Sequence, residues 1–139
     1  MAISNFVTRC LNGEPLIIYG DGQQTRDFTY VSDVIEANRA LLDSNALDGE
    51  VVNIGSTDNI SIERLAKVVR EQVAPDVDIV YEEAREADAS HTHADVKKAR
   101  EQIDYTPSQD IESGVKAFIE WYQANQEWYE PLVRNSQSY

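Results

Sequence analysis

Few residues of this 139-residue chain carry reactive or ligand-binding chemistry, and two of them are arginines set among acids. Arg26 follows a tight Gly20-Asp21-Gly22 turn, and Arg85 stands in a charged stretch with Asp88 three residues on. A guanidinium presents a planar fork of donors that matches phosphate oxygens in pairs. Glycines on either side of Asp21 permit positive φ, so a ligand or a neighbouring stretch of chain can come close to the backbone. Two such cations converging on one anion would form a diphosphate clamp, confined to one spot by acidic surroundings. The same residues have a plainer reading. Asp-Gly between apolar runs marks a β-hairpin, and Arg26 beside Asp27 is the pattern of a surface ion pair. Residue chemistry alone leaves both open.

Other constellations are missing. No G-x-G-x-x-G lies between a strand and a helix, and there is no P-loop, so no dinucleotide pyrophosphate site is expected in these residues. None of the seven tyrosines is followed by lysine four positions later, which excludes a Tyr-x-x-x-Lys proton relay within the chain. No catalytic residue is therefore expected here. His91 and His93, with Asp88 and Asp95 nearby, have the alternation of metal ligands on an extended segment. Histidines in a polar loop are ordinarily solvated, and no metal is expected.

Composition narrows the partners. With 25 acidic against 12 basic residues the formal charge is −13, and only 4 of the 12 cations are lysine. That balance argues against nucleic acid and against anionic membranes. The acids are spread through apolar-periodic segments, which indicates a folded domain with an acidic surface and not a disordered tail. High acid with little lysine fits a salt-rich cytoplasm, where self-repulsion is screened. Identical melting temperatures in low and molar salt would refute that halophilic reading. No run approaches the ~20 apolar residues of a membrane span. The first nine residues lack a secretory pattern, and the single Cys10 cannot form an internal disulfide, so a cytoplasmic protein is expected.

The elements that must position these residues follow from periodicity. Ile3, Phe6, Val7, Cys10 and Leu11 form a helical stripe that Gly13 ends. Leu16 to Tyr19 reads as a strand entering the glycine turn, and Asp27 to Tyr30 as its hairpin partner. Val31-Ser32-Asp33 offers a cap for a helix that carries Val34, Ala37 and Leu41 and stops near Asp48-Gly49. Val51 to Gly55 has the form of a buried strand of a parallel sheet. Lacking an evident neighbour, that strand would leave an apolar edge, so self-association into a homo-oligomer is expected. Ser61 caps a helix with Ile62, Leu65, Ala66, Val69 and Val73 inward, which Pro75 prevents from continuing. Asp78 to Tyr81 is a further short strand, and Glu82 to His93 a charged loop. Asp95 caps a short helix with Val96, Ala99 and Ile103 inward. A longer one after Pro107 turns Ile111, Val115, Phe118, Ile119 and Tyr122 inward. The aromatic end, Trp121 to Tyr129, reads as part of the core.

Three motifs together carry a resemblance: Tyr19 to Asp33 (YGDGQQTRDFTYVSD), Val52 to Gly55 (VNIG) and Arg85 to Asp88 (READ). The chain resembles the nucleotide-sugar epimerase and dehydratase family, the extended short-chain dehydrogenases, nearest to their UDP-glucose 4-epimerase branch. The resemblance implies an α/β fold of short strands and about five helices. It implies one lobe over residues 1–139, the C-terminal substrate-binding part of an extended Rossmann-type enzyme. NAD and the catalytic tyrosine would belong to an N-terminal Rossmann portion absent here. By that resemblance the main chain of Ile17, Ile18 and Tyr19 faces the uracil of a UDP-sugar. Arg26 holds the diphosphate, and Arg85 with Asp88 closes its other side. Ala87 stands where the family's Arg-x-Gly-Asp pattern has glycine. The implied activity of the whole enzyme is interconversion of UDP-glucose and UDP-galactose by oxidation and reduction at C4, with this chain alone inactive. A decarboxylase or dehydratase of the same family, or a binding or assembly module without catalysis, are the alternatives.

Overall fold

The expected stripe of α1 (Ala2–Leu11) buries Phe6, Val7 and Cys10 against the apolar face of α3 (Ile62–Val73). This computed structural model describes residues 2–45, 47–56, 58–84 and 88–136. Leu65, Ala66 and Val69 of α3 are fully buried, as its periodicity requires, and Val68 joins them. Ser61 caps this helix as expected, its hydroxyl accepting from the Arg64 amide at 3.2 Å. Burial of each such side chain is worth about 1.5–3 kcal/mol.

The third helix of this core, α5 (Ile111–Ser136), closes over α1 and α3 with Val115, Ile119 and Tyr122 inward. Tyr122 is fully buried, and its hydroxyl lies 2.9 Å from that of Thr8 on α1. A buried phenol needs such a partner. The aromatic end divides: Tyr129 packs on the core, whereas Trp121 and Trp128 remain about half exposed, edge to face at 5.8 Å. Pro131 sits inside α5 and removes one main-chain donor without ending the helix.

Four strands are assigned among the described residues: β1 (Leu16–Tyr19), β2 (Thr25–Asp27), β3 (Asn59–Ser61) and β4 (Ile79–Glu82). The expected hairpin does not form. Strand β1 pairs in parallel with β4, Leu16 opposite Ile79, and β2 pairs antiparallel with β3, Arg26 opposite Ile60. Leu16 and Ile18, on one face of β1, are wholly buried beside α1 and α3, whereas Ile17 and Tyr19 on the other face are only half-buried.

A second cluster joins α2 (Val31–Leu42) to α4 (Lys97–Ile103) through Ala37, Leu47, Val96, Ala99, Ile103 and Tyr105. Helix α2 begins at Val31 without a side-chain cap and ends at Leu42, shorter than its sequence pattern. Ser32 and Asp33 lie inside its first turn. Asp95 accepts from the Lys97 amide at 3.0 Å, one residue before the cap position of α4, Val96.

Residues 51–56 form no strand. Their main-chain groups are engaged by side chains: Lys98 Nζ donates to the Val51 carbonyl at 2.9 Å, and the buried Tyr105 hydroxyl to that of Gly55 at 2.7 Å. Val52 and Ile54 pack on the second cluster while Val51 is 85% exposed. The self-association expected through an edge here has no strand to act through. Among the described residues, no helix is long and apolar enough to cross a membrane.

Candidate nucleotide site

The glycine turn does close on a neighbouring stretch of chain, and that neighbour is α3. Gly20 and Gly22 both adopt φ of +75°. The Gly22 carbonyl accepts from the Glu63 amide and the Gln24 carbonyl from the Ile62 amide, each at 3.0 Å. Two orphan donors of the α3 N-terminus are thereby satisfied by the turn. An added Cβ at Gly22 would meet Glu63 Cβ at 3.0 Å and Ile18 Cγ2 at 3.1 Å, so the glycine is required by fit as well as by φ.

Strand β2, which this turn delivers, is flanked on both sides. Strand β3 lies along one edge, and on the other Thr25 donates to the Ser90 carbonyl while the Thr92 amide donates back to Thr25. Arg26 is thus held mid-strand, its side chain 19% exposed. Nη1 donates to the Thr25 carbonyl and Nη2 to Asp88 Oδ1, both at 2.8 Å. Among the described residues these bonds engage two of the five donors of the guanidinium. Asp88 is half exposed, so the pair adds little stability and can yield to a stronger anion.

Asp27, whose place beside Arg26 is the pattern of a surface ion pair, does something else. Its carboxylate accepts from the amides of Ser56 at 2.9 Å and Ala94 at 3.1 Å, and from the Thr29 hydroxyl at 3.3 Å. Burial pushes this carboxyl up, but those hydrogen bonds outweigh it and hold it below its ordinary value. Asp27 therefore ties β2 to the segment leading up to α4 and to residue 56.

Of the residues expected at a base, Ile17 to Tyr19 occupy β1. Leu16 donates to the carbonyl of Asp78, just before β4, and Gly20 to that of Glu82, so by the parallel alternation the main chain of Ile18 also faces β4. The main chain of Ile17 faces the opposite edge, where no strand lies among the described residues. The Tyr19 carbonyl accepts from Gln24 Nε2 at 2.8 Å. Arg85 lies outside the described residues. Of the predicted site residues, Arg26 and Asp88 are in contact, although Asp88 was expected beside Arg85 on the other side of the diphosphate.

His91 is fixed by Thr25 Oγ1, 2.6 Å from Nδ1, and by Asn59 Nδ2 at 3.2 Å, and its ring stands 6.3 Å from that of His93. A separate cavity of about 390 Å³ is bordered by Phe28, Asn59, Arg64, Gln109 and Glu112, and Arg64 is paired there with Glu112 at 2.9 Å. Arg26 is not on its wall. Glu63, which touches both the glycine turn and β4, carries no sequence signal, because its partners lie 18 and 40 residues away.

Known proteins share this fold. A profile of the GDP-mannose 4,6 dehydratase family matches residues 1–118. A UDP-N-acetyl-alpha-D-glucosaminuronate decarboxylase of Bacillus cytotoxicus is 35% identical over 126 residues, which cover 86% of this chain and 39% of the relative. The UDP-glucose 4-epimerase of Thermotoga maritima, solved with UDP-glucose, superposes with a TM-score of 0.82 at 31% identity over 91% of this chain. The UDP-glucuronic acid 4-epimerase of Bacillus cereus, solved with UDP-glucuronic acid and NAD, gives 0.82 at 30% identity over 89%. In both structures the match covers 40% of the longer protein. The observed α/β architecture of short strands and five helices is thus that of the C-terminal part of Rossmann-type epimerases. The chain belongs to the GDP-mannose 4,6 dehydratase family, among the nucleotide-sugar enzymes of the extended short-chain dehydrogenase type.

Proposed function

We propose that residues 1–139 form a single UDP-sugar-binding lobe of an NAD-dependent nucleotide-sugar 4-epimerase. The observation that carries this reading is Arg26, a mostly buried cation anchored by Thr25 and Asp88 on the strand that leaves the glycine turn. Its donors left unengaged among the described residues meet the diphosphate, and Asp88 keeps the fork oriented when no ligand is bound. Arg85 supplies a second cation, and the β1 edge at Ile17 and Tyr19 supplies main-chain contacts to the base. With a formal charge of −13 on the chain, a diphosphate is repelled elsewhere and confined to this cation. Holding the nucleotide firmly while the sugar reorients is binding energy used for positioning.

The described residues do not fit NAD themselves. Gly20-Asp21-Gly22 follows a strand but leads into β2, and the nearest helix N-terminus, that of α3, already has amides bonded to the turn. In this proposal NAD, which supplies hydride transfer, is held by a nucleotide-binding portion outside these residues.

Calorimetric titration with UDP tests the site. Arg26→Ala and Arg85→Ala should each weaken binding by about 10–100-fold, the worth of a charge-assisted hydrogen-bonded pair. Unchanged UDP affinity in both variants would refute the clamp. Decarboxylation is the second reading, favoured by the name of the Bacillus cytotoxicus relative. In a protein that also carries the nucleotide-binding portion, release of carbon dioxide from a UDP-uronic acid, without interconversion of UDP-glucose and UDP-galactose, would establish it.

A further inference from the structure

The connector between β1 and β2 is held from more directions than five residues need. Within it, the Gln23 amide donates to Asp21 Oδ1 at 2.9 Å and Gln24 Nε2 to the Tyr19 carbonyl. From outside, the α3 amides of Ile62 and Glu63 reach its carbonyls, and the Gly20 amide reaches Glu82 on β4. One side chain joins all of these parts. Glu63 Oε2 accepts from Gln23 Nε2 at 3.2 Å, while Oε1 accepts from the Tyr81 hydroxyl of β4 at 3.1 Å and from Lys67 Nζ at 2.9 Å. Its side chain is 27% exposed. An ordinary i,i+4 ion pair explains Lys67, but it does not explain why the carboxylate divides its oxygens between the turn and a strand.

We propose that Glu63 is a positioning residue. By fixing the 20–24 connector against α3 and β4, it sets the span between the base edge of β1 and the Arg26 guanidinium. The site then gains from the diphosphate only when that span is held, and Glu63 governs the preference for a nucleoside diphosphate over the bare nucleoside. The inference rests on the reading of Arg26 as the diphosphate cation. Rigid connectors raise affinity by lowering the ordering cost of the second contact, and a loose one leaves each contact to act alone.

The test is NMR titration of the 139-residue chain with UDP and with uridine, in Glu63→Ala, Glu63→Gln, Lys67→Ala and Arg26→Ala variants, with melting temperatures as the folding control. In Glu63→Ala the ratio of UDP to uridine affinity should fall about tenfold with uridine binding retained. Glu63→Gln, which keeps an acceptor for Tyr81 or Gln23, should recover most of the ratio. Lys67→Ala, which removes only the ion pair, should leave it unchanged. Parallel loss of UDP and uridine binding in Glu63→Ala, or an unchanged ratio, overturns the proposal. An unchanged ratio in Arg26→Ala overturns the diphosphate clamp instead, which separates the two failures.

Discussion

Asp33, in the first turn of α2, accepts at Oδ1 from both the amide and the hydroxyl of Ser108, each at 3.0 Å, and at Oδ2 from the Gln109 amide at 3.3 Å. The carboxylate is 4% exposed, and it locks the entry of α2 to the segment that leads into α5. The positive end of the α2 dipole favours a charge in that place. Removing it leaves three donors without an acceptor. Asp33→Ala should therefore cost about 2–4 kcal/mol in urea unfolding, and Ser108→Ala about 1 kcal/mol. An Asp33→Ala chain as stable as its parent would show that α2 and α5 are held by apolar packing alone.

Asp27 should stay ionised to lower pH than an ordinary carboxylate. Its folded-state carboxyl lies below the ordinary 3.8 because the amides of Ser56 and Ala94 and the Thr29 hydroxyl outweigh burial. A depressed folded value means that the stabilisation is fully present above the unfolded value and is lost as pH falls through the lower, folded one. The Ser56 and Ala94 amide resonances should move together in that window, below the ordinary 3.8. Asp27→Asn should abolish the shared transition. Independent movement of the two amides would refute a common anchor.

Glycine replacements separate conformational strain from crowding. Gly13 has φ of +66° with nothing within 4 Å of an added Cβ, whereas at Gly22 the new atom meets Glu63 and Ile18. Gly13→Ala should cost about 1–2 kcal/mol from left-handed backbone alone. Gly22→Ala should cost a further 1–3 kcal/mol, roughly, from overpacking. Equal thermal shifts in the two variants would show that the turn gives way without effort.

What the sequence made legible was local. The stripes of α1 and α3, the Ser61 cap and the limits of β1 all rest on residues within one or two turns of each other, and the structure has them where periodicity puts them. The pairing of β1 was not local. Asp21-Gly22 has the chemistry of a hairpin turn, but a helix N-terminus far along the chain takes its carbonyls and β4 takes the strand. Val51 to Gly55 misled for the same reason, since an apolar run does not reveal that Lys98 and Tyr105 will engage its backbone. At the candidate site, Arg26 and Asp88, singled out by residue type alone, lie in contact at 2.8 Å. The tether at Asp27 and the reach of Glu63 depend on partners brought in by the fold, and no spacing in the sequence encodes them.

The strand pairing also sets an order of events in time. Register Leu16 to Ile79 and Arg26 to Ile60 means that each ladder closes a loop containing α2, and β1–β4 a loop containing α3 as well. Neither sheet can start from a local turn, so the entropy of closing those loops precedes any reward from strand contacts. Helical turns in α1 and α3 can form from local contacts before either ladder exists, whereas docking α1 on α3 closes a comparable loop. A chain emerging from the ribosome therefore holds Arg26 on an unpaired strand until Asn59 to Ser61 has been made. Arg26 and its surroundings are assembled only by the long-range pairing that takes the place of the hairpin.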